Sequence, residues 1–213
     1  MMPGSPKRVT RSKSAKAGCV WKPPPPPDWR GRYRRSVLPC CRIADAPEHR
    51  WRGLLLDTAR HFFTVKEVCG FIDLLALHRL NRFHLHLTDD QGWRVEIKRY
   101  PKLTEVGSIR SQTISSHYPD QPMRFDHMPY GGFYTQQELR EIVAFAARRH
   151  VEVIPEIDMP GHMQSAVAAY PEFGNYPERQ LSVRTYWGKS RHILNPYPET
   201  IRFACNILEE AME

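Results

Sequence analysis

The sequence predicts an α/β protein: a partial (β/α)₈ barrel, about the first three βα units, behind a disordered N-terminal segment. Three observations carry this. Short apolar runs alternate with amphipathic helical periods that begin at capping signals. Three such runs each end in polar residues able to do chemistry, as barrel strands do at their carboxyl ends. Neither a G-x-G-x-x-G nor a phosphate-binding loop occurs, which argues against a doubly wound nucleotide fold obeying the same strand-end rule.

The elements follow in order. "GLLLD" (Gly53–Asp57) is a short apolar run expected to be a strand buried on both faces. "TVKE" (Thr64–Glu67) has capping-box spacing, and Val65, Val68, Ile72 and Leu75 then fall on one helical face, with Asn81 ending the helix. "RFHLHL" alternates with period two and predicts the second strand. A long connection from Asp89 to about Tyr134 carries Pro101, Pro119, Pro122, Pro129 and Gly131-Gly132. Loops of that length are functional or disordered. "TQQE" (Thr135–Glu138) is a second capping box, followed by Leu139, Ile142, Val143 and Ala146 as a buried face. "VEVIPEID" (Val151–Asp158) predicts the third strand. A proline-rich loop leads to a third helix with Pro198 in its first turn and Ile201, Cys205 and Leu208 facing inward.

The 213 residues carry a net charge of +8, and the charge is uneven. Residues 1–50 hold 12 Lys/Arg against 3 acids, which leaves the remainder at −1. Residues 1–46, with five consecutive prolines at Pro23–Pro27 and few periodic apolar side chains, cannot bury enough to offset their ordering entropy and form a separate disordered segment. Residues 47–213 form the barrel piece. Cys19, Cys40, Cys41, Cys69 and Cys205 show neither zinc spacing nor a disulfide framework, so reduced structural thiols are expected. No window is long and apolar enough for a membrane span, and the basic N-terminus lacks the apolar stretch of a secretory signal, so no compartment is assigned.

The candidate chemistry sits at the strand ends. Arg60, just past the first strand, can fork onto sugar hydroxyls or a carboxylate, or form a surface ion pair. His84 and His86 share one strand face. They suit either a metal pair, with His61, His162 and Asp158 as further ligands, or a barrel interior filled with hydrogen-bonded imidazoles. Asp89 and Asp90 are adjacent, which separates their heads and favours one ligand-binding and one structural carboxylate over an acid–base dyad. In "PEIDMPGH" (Pro155–His162) the Pro160-Gly161 turn lets His162 fold back toward Asp158, where a carboxylate would raise the imidazole pKa and set its tautomer.

Four segments occur in order: "RGLLLDTARHFF", "HLHLTDDQGWRVEIKRYPKLTEVG", "YGGFYTQQELREIVAFAARRH" and "VIPEIDMPGHMQSAVAAYPE". Together they resemble the N-terminal part of the catalytic barrel of family-20 glycoside hydrolases, the β-N-acetylhexosaminidases, over about residues 43–213. The resemblance implies removal of terminal N-acetylglucosamine or N-acetylgalactosamine from glycans, without a cofactor. It also implies retention of configuration, with the sugar's own 2-acetamido carbonyl as nucleophile and an Asp-Glu pair on the fourth strand orienting it and supplying the proton. Carried over by motif, Arg60 binds hydroxyls of the terminal sugar and Asp89 lines the same subsite. Asp158 and His162 support the catalytic Glu and the substrate. Arg52 has no matched ligand role and is structural.

No Asp-Glu dipeptide occurs anywhere in the 213 residues. The chain is therefore expected to be a truncated hexosaminidase barrel, inactive alone, whose partners are glycans ending in N-acetylhexosamine. Nucleic acid is not an expected partner. Two other readings remain: a non-catalytic binding or scaffold fragment with a basic tail, and a metal-dependent barrel hydrolase using His84 and His86.

Overall fold

The computed structural model describes residues 46–117 and 120–212. The expected disordered segment, apart from its last residue, lies outside the described residues, as do Cys19, Cys40, Cys41 and Pro119. In chain order the elements are β1 (Gly53–Asp57), α1 (Val65–Leu77), β2 (Arg82–Asp89), β3 (Gly92–Trp93), α2 (Lys102–Glu105), β4 (Ile109–Arg110) and β5 (Tyr130–Gly131). Then come α3 (Gln136–Ala147), β6 (Glu152–Ile157), α4 (Gln164–Ala169) and α5 (Pro198–Ala211), with a 3₁₀ turn at Pro171–Phe173 before α5.

The long strand β2 is the hub. It pairs in parallel with β1 from Gly53↔Arg82 to Asp57↔His86, and with β6 from Arg82↔Glu152 to Thr88↔Ile157, with a bulge between His86 and Thr88. The three principal strands thus run parallel, joined through α1 and α3, which is the expected βα order. Alternation along β2 separates two environments. Phe83, Leu85 and Leu87 face the helices and join Val68, Ile72, Leu75, Ile142 and Ala146 in the core. Each such fully buried apolar side chain contributes roughly 1.5–3 kcal/mol. His84 and His86 occupy the opposite, polar face, as expected of a barrel interior.

Both capping boxes form. Thr64 accepts from the Glu67 amide at 3.4 Å while its own amide donates to the Glu67 carboxylate at 2.7 Å. The same pair of bonds joins Thr135 and Glu138 at 3.2 and 2.8 Å. Pro198 occupies the first turn of α5 as expected. Cys69 and Cys205 are free thiols, and among the described residues no helix is long and apolar enough to cross a membrane.

Five expectations are corrected. The first strand is not buried on both faces: Leu54 and Leu55 are 51% and 47% exposed, because β1 has β2 alone as a neighbour among the described residues. Helix α1 stops at Leu77 rather than Asn81. Arg79 takes a left-handed φ of 59°, and Asn81 instead accepts the Arg52 amide at 3.0 Å and donates to Arg50 at 2.9 Å, aligning the starts of β1 and β2. In α3, Val143 is exposed while Ile142 and Ala146 are buried. In α5 the inward face is Thr200, Phe203 and Ile207, and Ile201, Cys205 and Leu208 point to solvent. Phe203 decides this by stacking on Phe173 (4.2 Å between centroids) and meeting Tyr100 edge-on (4.6 Å). Finally, the connection after Asp89 is built rather than open. β3 returns antiparallel along the end of β2, β4 pairs with β5, and isolated bridges join Val95 to Tyr134 and Ile114 to Phe125.

Candidate active site

The site assembles at the carboxyl ends of β1, β2 and β6. After β1, Asp57 accepts from the amides of Ala59 and Arg60, both at 3.0 Å, closing a tight turn that brings the Arg60 side chain back over the sheet. Its guanidinium then reaches three groups: Asp57 at 2.8 Å, the Gln91 side-chain oxygen at 3.1 Å, and the Asp89 carboxylate. Asp89 is 1% exposed and Asp90 is fully buried. Two buried adjacent carboxylates require compensation. Asp89 obtains it from Arg60, from His86 at 3.3 Å, from His162 at 3.1 Å and from the Asp90 amide at 2.6 Å. Among the described residues the Asp90 carboxylate accepts the Gln164 amide at 3.1 Å, with His162 Nδ1 3.8 Å from its other oxygen.

These surroundings split the two acids. Burial raises the Asp89 pKa, but His86 and Arg60 more than reverse it, so Asp89 stays ionised below the ordinary carboxylate range. At Asp90 burial prevails, reinforced by the Asp89 charge, and its pKa rises. The two carboxylates are thus electrostatically distinct although both are buried. Asp90 braces the loop, since its carbonyl also accepts the Arg184 amide at 3.1 Å.

His84 and His86 both contact one Glu156 oxygen, at 2.5 and 2.8 Å. Burial works against charge on His86, yet Asp89 and Glu156 outweigh it and lift its pKa to about 9. Donor atoms of His86, Asp89 and Asp158, and of Asp89, Asp90 and His162, lie within 4.8 Å of one another. The Arg60 guanidinium nevertheless occupies the cation's place, bound to Asp89 and 3.4 Å from His86. Among the described residues, Glu156 and Asp89 thus engage the ring nitrogens of His84 and His86, and Arg60 supplies the positive charge at Asp89.

His162 folds back as expected, through a left-handed φ of 56°, but its ring lands on Asp89 rather than Asp158. The reason is the geometry of the loop: Asp158 is anchored by its amide to Thr88 at 3.1 Å, while the Gln164 amide and Ser165 hydroxyl tie the far side of the turn to Asp90 and Asp89. Asp158 keeps a raised pKa, from burial and then from its neighbour Glu156.

Two arginines in the long connection were not singled out from sequence. Arg94 is fully buried and donates to four carbonyls: Thr58 at 3.0 Å, Ala59 at 2.7 Å, Ser108 at 2.6 Å and Gly132 at 2.8 Å. Burial lowers its pKa to about 10. Arg110 donates to the carbonyls of Arg60 at 2.9 Å and Gln91 at 3.2 Å. Both hold the backbone that carries Arg60. The cue in sequence was slight: Arg94 stands in "GWRVEI" between the apolar Trp93 and Val95. A cleft of about 550 Å³ opens beside these groups, lined by Asp57, Arg60, Gln91 and His162 together with Trp187, Gly188 and Lys189.

Parallel strands whose carboxyl ends bring a forked arginine and a half-exposed imidazole, both held by a buried aspartate, to a cleft have the layout of the strand-end face of a (β/α) barrel. The description "Glycosyl hydrolase family 20, catalytic domain" matches residues 49–213. The chain belongs to that family. It is 44% identical over 174 residues to a beta-hexosaminidase of Akkermansia muciniphila, covering 81% of this chain and 33% of that protein. A crystal structure of a beta-N-acetylhexosaminidase superposes with a TM-score of 0.73 at 44% identity, covering 82% of this chain and 35% of the other. The Vibrio harveyi GH20 exo beta-N-acetylglucosaminidase in complex with N-acetylglucosamine superposes at 0.66, again 44% identical, covering 81% and 27%. The chain spans between 21% and 33% of the length of the first three curated relatives it matches.

Proposed function

We propose that these residues form the part of a β-N-acetylhexosaminidase barrel that receives a terminal N-acetylglucosamine or N-acetylgalactosamine and holds it for hydrolysis. The observation that carries this reading is Arg60 and His162 lining an open cleft, both held from below by the buried Asp89. Arg60 offers guanidinium donors in a fixed plane to sugar hydroxyls, and the buried Asp89 carboxylate holds that plane and the His162 ring in position beneath the cleft. His162 is half-exposed with Nδ1 held by Asp89, so Nε2 is the nitrogen left to serve a catalytic carboxylate. Asp158, with its raised pKa, can donate or share a proton with a second acid beside it. The retaining reaction uses the substrate's acetamido oxygen as nucleophile. It then needs a proton donor to the leaving oxygen, a contribution of roughly 10²–10⁴-fold. The paired Asp-Glu dipeptide expected to supply it is not among these residues, so we assign it to a further βα unit.

Two measurements test this. Titrating N-acetylglucosamine into the isotopically labelled chain should shift the resonances of Arg60, Asp89 and His162, and Arg60→Ala should abolish those shifts. The same chain should not turn over a chromogenic N-acetylglucosaminide. Turnover that Asp158→Asn removes would show that these residues carry their own acid and would overturn the division of labour.

A further inference from the structure

Part of the cleft lining is a basic, aromatic turn that the catalytic reading does not use. From Arg179 to His192 the chain carries Arg179, Arg184, Lys189 and Arg191 and no acid. It is not a loose surface loop. Arg184 is buried and points back into its own turn, donating to the carbonyls of Tyr186 and Lys189, both at 3.1 Å. Gly188 takes a φ of 105°, a conformation that L side chains rarely adopt, and so reverses the chain between Trp187 and Lys189. The turn is wired to the site itself: the Gln91 amide nitrogen donates to the Tyr186 carbonyl at 2.9 Å, and the Gln91 oxygen accepts from Arg60 at 3.1 Å. Ser190 and Gln164 close its other side at 2.8 Å. One side-chain amide thus sets the distance between the Arg60 guanidinium and the Trp187–Lys189 tip.

That tip presents an indole, 36% exposed, and an ammonium that forms no ion pair among the described residues, both lining the 550 Å³ cleft. An indole face binds the C–H face of a pyranose. A free ammonium on a flexible stem pairs with a point anion. In the same cleft, Asp57 is occupied by Arg60 and by two amides, so it does not neutralise Lys189.

We propose that Trp187 and Lys189 form a second sugar subsite that selects glycans carrying an anionic group, a carboxylate or sulfate, on the sugar next to the terminal N-acetylhexosamine. This rests on the reading of the Arg60 side of the cleft as the terminal-sugar site. Trp187 stacks on the second ring, and Lys189 pairs with its anion.

The test is binding to the full chain, followed by tryptophan fluorescence and calorimetry, with three probes. These are the N-acetylglucosaminyl-glucuronate disaccharide, the neutral disaccharide N,N'-diacetylchitobiose, and 6-sulfated N-acetylglucosamine. The glucuronate disaccharide should bind about fivefold tighter than the neutral one at low salt, and the ratio should fall as ionic strength rises. Lys189→Gln should bring the ratio to about one, and Lys189→Arg should restore most of it. Equal affinity of the two disaccharides, or a ratio that Lys189→Gln leaves intact, overturns the subsite while leaving the terminal-sugar reading in place. A preference for the sulfated monosaccharide over the glucuronate disaccharide places the anion on the terminal sugar and overturns the assignment to the second ring. Failure of all three probes to bind overturns the terminal-sugar reading and the subsite with it.

Discussion

Arg60 and His86 are the two cations that make a buried Asp89 tolerable. Removing Arg60 leaves the Asp89 carboxylate with imidazole partners and a main-chain amide only, 1% exposed. Breaking a buried pair from one side costs roughly 3–5 kcal/mol, and part of that returns here because Asp57 is released to solvent. Arg60→Ala should therefore destabilise the chain by about 2 kcal/mol in urea unfolding, and Arg60→Lys by less. His86 makes stability depend on alkaline pH. Its folded pKa of about 9 lies above the unfolded value near 6.5. Its contribution is thus complete below about pH 6.5 and disappears as pH rises through about 9. Urea midpoints measured from pH 6 to pH 10 should decline by the equivalent of about 2 kcal/mol, and His86→Gln should flatten that decline. Asp89 acts in the opposite direction: with a lowered pKa, its contribution is present above the ordinary carboxylate range and is lost on acidification through its folded pKa.

At the scale of elements, the short β2–β3 hairpin does the positioning. Gly92 leaves room for the Arg94 guanidinium, which an added Cβ would overlap. Gly92→Ala should displace Arg94 from its four carbonyls. Each unsatisfied buried group costs roughly 1–3 kcal/mol, so a loss of at least about 2 kcal/mol is expected in thermal unfolding. Hydrogen exchange should rise across residues 57–62 and around Ser108 and Gly132, since those strands share the clamp. A uniform change in exchange across the chain would argue that Arg94 only fills space. The helices behave differently from the loops. Their starts were readable because a capping box is local, a matter of Thr64 with Glu67 and Thr135 with Glu138. The inward face of α5 was not. Both Ile201–Cys205–Leu208 and Thr200–Phe203–Ile207 satisfy a helical period, and only the aromatic cluster of Phe203 with Phe173, Tyr100 and Tyr170 breaks the tie.

For the whole molecule the notable feature is the edge of β1, which has no partner strand other than β2 among the described residues. With Leu54 and Leu55 half-exposed and Trp51, Leu74 and Leu77 exposed nearby in sequence, the described residues leave a strand edge and apolar side chains open. Such an edge templates association. Sedimentation of the purified chain should show concentration-dependent self-association, and Leu54→Lys should reduce it by placing a charge beside the edge. A monomer at all concentrations would mean that this edge is covered.

The order of strands and helices, the caps, and the clustering of Arg60, Asp89, Asp158 and His162 at strand ends were determined by the sequence, because each depends on local spacing or on a motif contiguous in the chain. Which charge pairs with which was decided only by the tertiary structure. His162 lies four residues from Asp158 yet binds Asp89, 73 positions away. Arg94 and Arg110 clamp a loop more than 30 residues distant, and Trp187 and Lys189 join the cleft from a segment with no periodicity to mark it. The physical reason for the first two is the same. A buried charge or carbonyl is satisfied by whatever donor the fold brings within hydrogen-bond reach, and parallel strands bring together residues that chain distance keeps far apart.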